Sequence, residues 1–222
     1  MVQVKVMENI MAANDMIARE NRRIFDQYGL FVINLMSSPG AGKTTLLERT
    51  IAELKNEFDI AVIEGDIRGQ LDAERIERHG VPVLQINTGG ECHLDANMIR
   101  NGLDEIDLSG KDLLIIENVG NLVCPAEFKV GENFKAVILS VPEGDDKPYK
   151  YPLMFKESRA LIINKIDLLG ILDFNLQKVE ETARALNPNM IIFHVSSKTG
   201  EGFESWLEWL RSHIRESKRS QK

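Results

Sequence analysis

The stretch "SSPGAGKT" at positions 37–44 constrains the fold of this chain more than any other part of its sequence. An apolar run at 30–36 precedes it, and an amphipathic helical pattern from about 43 to 58 follows it. A glycine-rich turn between a buried strand and a helix gathers backbone N–H groups at the positive end of the helix dipole, where they bind phosphate. The pattern therefore predicts a P-loop, although Ser37 stands where the usual motif has a glycine.

Several residues of this loop have a predicted chemical role. Lys43 is expected to reach the β- and γ-phosphates and to take part in catalysis, and the Thr44 hydroxyl is a candidate Mg²⁺ ligand. Gly40 and Gly42 let the backbone wrap closely around the anion. The predicted nucleotide contacts in the loop are Ser38, Pro39, Gly40, Ala41, Gly42, Lys43, Thr44 and Thr45.

Short apolar runs alternate with helical patterns along the rest of the chain. Near-continuous apolar strands separated by helices indicate an α/β fold, with a buried, mostly parallel central sheet flanked by helices on both faces. An apolar stripe at helical spacing predicts a first helix over 4–28. The expected strands are 30–36, 60–66, 82–87, 112–118, 135–141, 160–165 and 190–195, and the later helices are 43–58, 72–79, 93–106, 174–187 and 202–216.

A second motif, "NKID" at 164–167, follows one of these strands and indicates which base is bound. A carboxylate at Asp167 can accept hydrogen bonds from the N1–H and the exocyclic amine of guanine, whereas adenine would leave it unpaired. Lys165 can lie over the base, and the "SSKTG" segment at 196–200 can reach the guanine carbonyl. The predicted base contacts are Asn164, Lys165, Asp167, Ser197 and Lys198, and the predicted ligands are GTP and GDP.

Together the two motifs resemble those of a G-domain GTPase over about residues 30–215. Such proteins carry a "DxxG" turn that senses the γ-phosphate, and the matching turn here reads "ENVG" at 117–120. The resemblance makes Gly120 the candidate donor to the γ-phosphate. The expected organisation is an N-terminal helical arm over 1–28, a P-loop GTPase domain over 29–217 and a polar tail over 218–222.

Carboxylates near the ends of the predicted strands are candidate partners of Mg²⁺. The predicted magnesium ligands are Thr44, Asp66, Asp72 and Glu117. Asp72 has two further interpretations, as the catalytic group that orients the attacking water and as a simple N-cap of the following helix. Asn121 follows Gly120, where signalling GTPases often carry a water-orienting glutamine. We therefore expect slow hydrolysis that a partner or a second copy accelerates.

The two cysteines of the chain lie in segments with a distinct chemistry. "GGECHLDA" at 89–96 places Cys92 beside His93 in a turn, and Cys124 follows the "ENVGN" turn. Thiolates and imidazole suit Zn²⁺ or Ni²⁺, although each cysteine alone could equally be a small buried hydrophobic residue. Three ligands from one chain are fewer than the four of a closed site, and a two-fold dimer would double them.

The motifs taken together closely resemble the HypB family of nickel-insertion GTPases of [NiFe]-hydrogenase maturation. The resemblance rests on the P-loop, "GGECHLDA", "ENVGNLVCPA" and "NKID", and it spans nearly the whole chain. It implies a GTP-dependent homodimer that binds metal at its interface through Cys92, His93 and Cys124. It also implies a small zinc-containing nickel chaperone of the HypA type as partner, and the hydrogenase large subunit as acceptor of Ni²⁺. Residues 1–28 contain no cysteine or histidine, so the N-terminal nickel-capture and nickel-storage segments of many members are expected to be absent.

Three other functions stay open at this stage. A urease nickel-insertion GTPase would carry Cys-Pro-His, but Ala126 follows Cys124-Pro125 here. A cobalamin-enzyme chaperone GTPase would not need the "ECH" turn. A metal-responsive binding module with vestigial hydrolysis would not need Lys43 and Thr44.

The polar segment at 143–152 is either an ordinary solvated loop or a source of charge for a second copy. In the second interpretation Lys147 or Lys150 reaches a nucleotide across the dimer.

The charge and hydropathy of the chain exclude some classes of partner. The net charge of −7 argues against nucleic acid or an anionic membrane as the main partner. No apolar run approaches the roughly 20 residues of a membrane span. The N-terminus lacks the apolar stretch of a signal peptide, so we expect a cytoplasmic protein.

Overall fold

A single seven-stranded sheet organises the molecule. The computed structural model describes residues 6–67 and 69–219, and their side chains from residue 10 onward. The strand order is β3-β2-β4-β1-β5-β6-β7, and every pairing between these strands is parallel. The strands are β1 (Phe31–Ser37), β2 (Ile60–Asp66), β3 (Val83–Asn87), β4 (Leu113–Glu117), β5 (Phe134–Ser140), β6 (Ala160–Asn164) and β7 (Ile191–His194).

Helices connect successive strands and cover both faces of the sheet. Parallel strands need such crossovers, because the chain must return to the same edge before each new strand. The helices are α1 (Val6–Tyr28), α2 (Lys43–Leu54), α3 (Leu71–Glu77), α4 (Ala96–Gly102), α5 (Cys124–Glu127), α6 (Lys147–Lys150), α7 (Pro152–Glu157), α8 (Leu176–Leu186) and α9 (Phe203–Arg219). The predicted fold class, a P-loop α/β domain with a parallel sheet and an N-terminal helix, is confirmed.

The core consists of three apolar clusters on the two faces of the sheet. One cluster joins α2 and α9 to the inner strands, with Trp206 as its largest buried side chain. A second includes Phe25 of α1 and Ile99 of α4, and a third includes Phe155 of α7 and Val179 of α8. All seven residues of β1 are buried, as expected for a central strand with helices on both faces.

The predicted helix ends differ from the observed ones at several places. Helix α2 ends at Leu54 rather than near 58. The helix predicted over 93–106 begins only at Ala96, because the Asp95 side chain accepts a hydrogen bond from Met98 N at 2.7 Å and caps it. Cys92 and His93 consequently lie in the preceding turn.

The two ends of the chain have described and undescribed parts. Residues 4 and 5 of the predicted first helix lie outside the described residues, and α1 begins at Val6. Helix α9 continues to Arg219, so it includes the first two residues of the segment predicted as a polar tail, whose residues 220–222 lie outside the description. None of the helices in the described ranges is both long enough and apolar enough to cross a membrane.

Candidate functional site

The predicted P-loop lies at the carboxyl end of β1 and leads into α2. Ser37 is the last, fully buried residue of β1 and pairs with Ile138 of β5, so its backbone is extended and needs no glycine. Gly40 and Gly42 have φ of +77° and +97°, which side chains rarely adopt. A Cβ at Gly42 would lie 2.7 Å from Nδ2 of Asn164, so this position requires glycine for a steric reason as well.

A cavity of about 580 Å³ opens over the P-loop. It contains the candidate Mg²⁺ ligands and the γ-phosphate turn that the sequence predicted, brought together from the ends of β1, β2 and β4. Its lining residues include Pro39, Gly40, Gly42, Lys43, Thr44, Thr45, Asp66, Asp72, Glu117 and Gly120. It is also lined by Glu64 and Arg75, two residues that sequence reasoning missed.

A second cavity of about 360 Å³ adjoins the first and holds the predicted base-binding residues. Its lining consists of Gly42, Thr45, Asn164, Lys165, Asp167, Leu168, Ser197 and Lys198. Gly42, Thr45 and Lys165 line both cavities, so the two form one continuous depression. A molecule with a planar base at one end and a chain of phosphates at the other matches this division.

Asn164 ties the three segments around the base cavity to one another. Its Nδ2 donates to Ala41 O at 3.0 Å, and its Oδ1 accepts from the Ser197 backbone N–H and hydroxyl at 3.1 and 3.0 Å. Lys165 adopts a left-handed φ of +60°, and its Nζ donates to Gly40 O at 2.6 Å. Asn164 thus holds the P-loop and the 196–200 loop in place.

The floor of the phosphate cavity is acidic. Thr44 Oγ1 donates to Glu117 Oε1 at 2.9 Å, and Lys43 Nζ lies 3.8 Å from the same oxygen. Glu117 is buried, and burial raises its pKa, while Lys43 and Thr44 oppose that rise. Its second oxygen, Oε2, has no hydrogen-bond partner among the described residues.

Glu64 lies beside Glu117, because β2 and β4 pair these two residues in register. Burial, and then the charges of Glu117, Asp66 and Asp72, raise the pKa of Glu64 to about 8. Its Oε2 also lacks a hydrogen-bond partner within the described part of the chain. The signal for Glu64 was present in "EGD" at 64–66, since residues two apart on a strand face the same side.

The donors of this cavity fit Mg²⁺. Two buried carboxylate oxygens without partners, a threonine hydroxyl and further carboxylates make an all-oxygen set, which is what Mg²⁺ prefers. Asp66 is partly engaged, because its Oδ1 accepts from Ile67 N at 2.6 Å. The remaining donor residues line the cavity from two strands, β2 and β4, and two helices, α2 and α3.

Asp72 does not cap α3, which corrects one of its predicted interpretations. The cap position is held by Gln70 without a side-chain bond, and Asp72 lies within the first turn. Its Oδ1 accepts from Arg75 at 3.0 Å, and Arg75 also contacts Glu48 and Thr45 of α2. This network holds Asp72 at the rim of the phosphate cavity.

The turn at 117–120 is packed directly against the P-loop. A Cβ at Gly120 would lie 3.1 Å from Cγ and from N of Pro39, so a side chain here would have to push the P-loop away by a few tenths of an ångström. Asn118 is fully buried, and its Oδ1 accepts from Val119 N at 3.0 Å and from Leu94 N at 2.9 Å. The same turn therefore contacts the segment that carries Cys92 and His93.

The structure brings the three predicted metal ligands together. Cys92 Sγ lies 2.9 Å from Cys124 Sγ and 3.8 Å from His93 Nδ1, and all three donor atoms fall within 4.8 Å of one another. The His93 ring packs on Phe128 with centroids 4.2 Å apart, and burial lowers the pKa of the imidazole. The shared hydrogen bond with Cys92, followed by burial, raises the pKa of the Cys124 thiol. A neutral imidazole and two adjacent thiols can bind a soft or borderline metal ion such as Ni²⁺ or Zn²⁺.

Lys147 and Lys150 lie apart from both cavities. Lys150 Nζ pairs with Asp146 at 2.5 Å, and Lys147 Nζ lies 5.5 Å from the Tyr151 ring centroid. Lys150 is more than half exposed, so a contact with a second copy is sterically open.

Comparisons with known proteins give one consistent family. Residues 31–194 match the model of the nucleotide-binding domain of CobW, HypB and UreG proteins. The chain is 50% identical over 207 residues to the hydrogenase maturation factor HypB of Azotobacter vinelandii, covering 93% of this chain and 68% of that protein.

Two solved structures share the fold closely. The crystal structure of hydrogenase maturation factor HypB from Archaeoglobus fulgidus is 41% identical with a TM-score of 0.86, covering 91% of this chain and 99% of that one. HypB from Helicobacter pylori, solved in complex with nickel, is 44% identical with a TM-score of 0.86, covering 92% and 96%.

Proposed function

Because the chain belongs to the HypB family of hydrogenase maturation factors, we propose that it hydrolyses GTP and couples this reaction to the delivery of nickel during [NiFe]-hydrogenase maturation. One observation carries the proposal: a single stretch, residues 117–124, lines the phosphate cavity at its start and supplies Cys124 to the thiol–imidazole group at its end. The proposed nucleotide site and the proposed metal site therefore lie at opposite ends of the segment 117–124.

GTP binds across the two adjoining cavities. The Asp167 carboxylate accepts from the guanine edge, Lys165 covers the base, and Lys43 together with the P-loop N–H groups holds the phosphates. Thr44, Asp66, Asp72 and Glu117 would hold Mg²⁺, which neutralises phosphate charge when bound.

Hydrolysis is slow in a single copy. Gly120 donates its N–H to the γ-phosphate, and Asp72 orients the attacking water from the rim of the cavity. Asn121 is not among the residues lining that cavity, so the position that often orients water in signalling GTPases does not do so here. Lys147 or Lys150 of a second copy supplies the missing positive charge.

Nickel is the cargo, held by Cys92, His93 and Cys124. The nickel complex of the Helicobacter pylori relative supports this metal, and Zn²⁺ suits the same donors. Three donors leave a closed site incomplete, so two copies share the metal at a two-fold interface. A small zinc-containing chaperone of the HypA type and the hydrogenase large subunit are the expected partners. A cytoplasmic location stays an expectation.

The proposed coupling runs through the 117–124 turn. GTP holds Gly120 through its γ-phosphate, and loss of that phosphate releases the turn and displaces Cys124. By linkage, nickel must then change the affinity for GTP by the same factor as GTP changes the affinity for nickel.

Sedimentation velocity tests the proposal with the full chain in Mg²⁺ buffer, with GDP or a non-hydrolysable GTP analogue, each with and without Ni²⁺. We expect a dimer with the analogue, strengthened by Ni²⁺, and a monomer with GDP. In a Cys92→Ser/Cys124→Ser variant the nucleotide response should persist and the Ni²⁺ response should vanish. Identical sedimentation in all four conditions, or a single-turnover hydrolysis rate that is fast and independent of protein concentration, would contradict the proposal.

A further inference from the structure

Asn121 directly follows Gly120, but its side chain is directed toward the metal-ligand segments. Its Nδ2 donates to Cys92 O at 3.3 Å, and its Oδ1 accepts from Val123 N at 2.8 Å. Cys92 is one proposed nickel ligand, and Val123 immediately precedes another, Cys124. One amide thus contacts the backbone beside both thiols.

We propose that Asn121 is a positioning residue that transmits the state of the γ-phosphate turn to the two thiols. The inference rests on the proposed function and names the group through which nucleotide and metal affect each other. Asn121 is joined to Gly120 by one peptide bond. A displacement of Gly120 therefore also moves the Asn121 side chain and changes its two hydrogen bonds, to Cys92 O and from Val123 N.

Asn121 is less firmly held than Asn118, the other asparagine near the γ-phosphate turn. Asn118 is fully buried and is fixed to β1, because its Nδ2 lies 3.2 Å from Asn34 Oδ1 and its N–H donates to Leu35 O. Leu94, which Asn118 binds, packs so closely on β2 that a Cβ at Gly65 would lie 2.5 Å from it. Asn121 is only half-buried and lies beyond these anchors.

The separation of the thiols makes a small displacement effective. The two sulfur atoms are 2.9 Å apart, and a zinc ion bound between them needs metal–sulfur distances of about 2.3 Å. A shift of a few tenths of an ångström in the Cys92 carbonyl or the Val123 N–H therefore changes how well the two sulfur atoms fit one ion.

A simpler role for Asn121 is to build the local turn through its bond to Val123 N alone. The bond to Cys92 O is not required for that role. Asn121→Asp separates the two interpretations, because a carboxylate still accepts from Val123 N but cannot donate to Cys92 O. Asn121→Ala removes both bonds.

The test measures the nickel affinity of the full chain by competition with a chromophoric chelator, once with GDP and once with a GTP analogue, in Mg²⁺ buffer. The quantity compared is the ratio of the two dissociation constants, in which any effect of the added charge that is common to both nucleotide states cancels. Asn101→Ala, an exposed residue of α4, is the matched control.

We expect a ratio of about 5 to 150 for the wild type and the control, typical of coupled sites. In Asn121→Asp and Asn121→Ala the ratio should fall toward one, with the thermal unfolding midpoint of Asn121→Asp unchanged. A wild-type ratio in Asn121→Asp would overturn the inference, whether or not Asn121→Ala loses the coupling, and would leave the proposed function intact. A ratio of one in the wild type would instead refute the proposed coupling itself.

Discussion

At the scale of single residues, the most unusual feature is the pair of buried glutamates beneath the P-loop. Glu64 and Glu117 pair in register on adjacent strands, and each has an oxygen without a hydrogen-bond partner among the described residues. Burial is the main cause that raises the pKa of each carboxyl, and nearby negative charges add to it: those of Glu117, Asp66 and Asp72 for Glu64, and that of Asp72 for Glu117. The two buried carboxyl groups therefore destabilise the unliganded folded state, and a bound cation would offset this destabilisation.

The pKa of Glu64 gives a pH prediction. Its folded pKa of about 8 exceeds the ordinary value of 4.5, so between these values the folded state binds a proton that the unfolded state has lost. Stability contributed by this group therefore falls as pH rises from about 5 to 8. Glu64→Gln removes that loss, so its unfolding midpoint should exceed the wild-type midpoint by a margin that widens with pH.

Differential scanning fluorimetry from pH 5 to 8 with chelator measures this margin. Glu53→Gln, at an exposed site on α2, is the control and should show a constant difference from the wild type. A constant or shrinking margin for Glu64→Gln would contradict the assignment. The proposed Mg²⁺ site includes this cluster, so an excess of Mg²⁺ is expected to reduce the pH dependence of the wild type as well.

At the scale of elements, α1 holds the segments that carry the proposed metal ligands. Asn14 accepts from Ala96 N at 2.9 Å and donates to Lys129 O at 2.9 Å. Asn21, fully buried, donates to Ala96 O at 2.8 Å and to Val130 O at 3.2 Å. The first helix thereby fixes the start of α4, three residues after His93.

Asn14→Ala removes the bonds of this side chain to Ala96 N and to Lys129 O, and the start of α4 should become less stable than the rest of the domain. Asn14→Ala leaves the Ala96 N–H without its partner, which costs about 1–3 kcal/mol in a buried site. We expect faster amide exchange in peptides covering 92–99, measured by mass spectrometry, together with a lower unfolding midpoint. Glu20→Ala, exposed on the same helix, should change neither. Unchanged exchange over 92–99 in Asn14→Ala would show that α1 does not brace this segment.

What the sequence predicted follows from how local each feature is. Some features depend only on residues that are close in sequence, so the sequence alone predicts them. These are the P-loop, the alternation of strands and helices, and the thiol–imidazole turn. The register that puts Glu64 beside Glu117, and the bonds from Asn118 and Asn121 to the 92–94 segment, depend on residues far apart in sequence. Alternation along β2 could show that Glu64 faces the same side as Asp66, but periodicity contains no information on which residues of other segments these side chains meet.

At the scale of the whole molecule, four separate segments share one ligand cavity. The P-loop, the 117–120 turn, the 164–168 segment and the 196–200 loop all border the nucleotide site. A ligand that contacts all of them binds only the folded chain, so it stabilises the entire domain by mass action. The increase in the free energy of unfolding on adding a nucleotide therefore measures how well its base is bound.

Asp167→Asn tests this link. Xanthine carries a carbonyl where guanine has its amine, so an asparagine amide matches xanthine and a carboxylate matches guanine. We expect GDP at 100 times its dissociation constant to stabilise the wild type by about 2.7 kcal/mol. The variant should lose this response to GDP and regain it with XDP, as measured by urea unfolding. Equal responses of both proteins to both nucleotides would contradict the proposed role of Asp167.

The in-register pairing of β2 with β4 also limits how the length of this chain can vary. Adding or deleting one residue within β4 would turn Glu117 to the opposite face of the sheet and remove it from Thr44. The segment at 107–111 lies at the other end of the strand, and its Gly110 has open space around it. Insertions should therefore be tolerated between Ser109 and Gly110, for example when a tag or a fluorescent reporter is introduced, and should be harmful at the buried Leu108 and within 113–117.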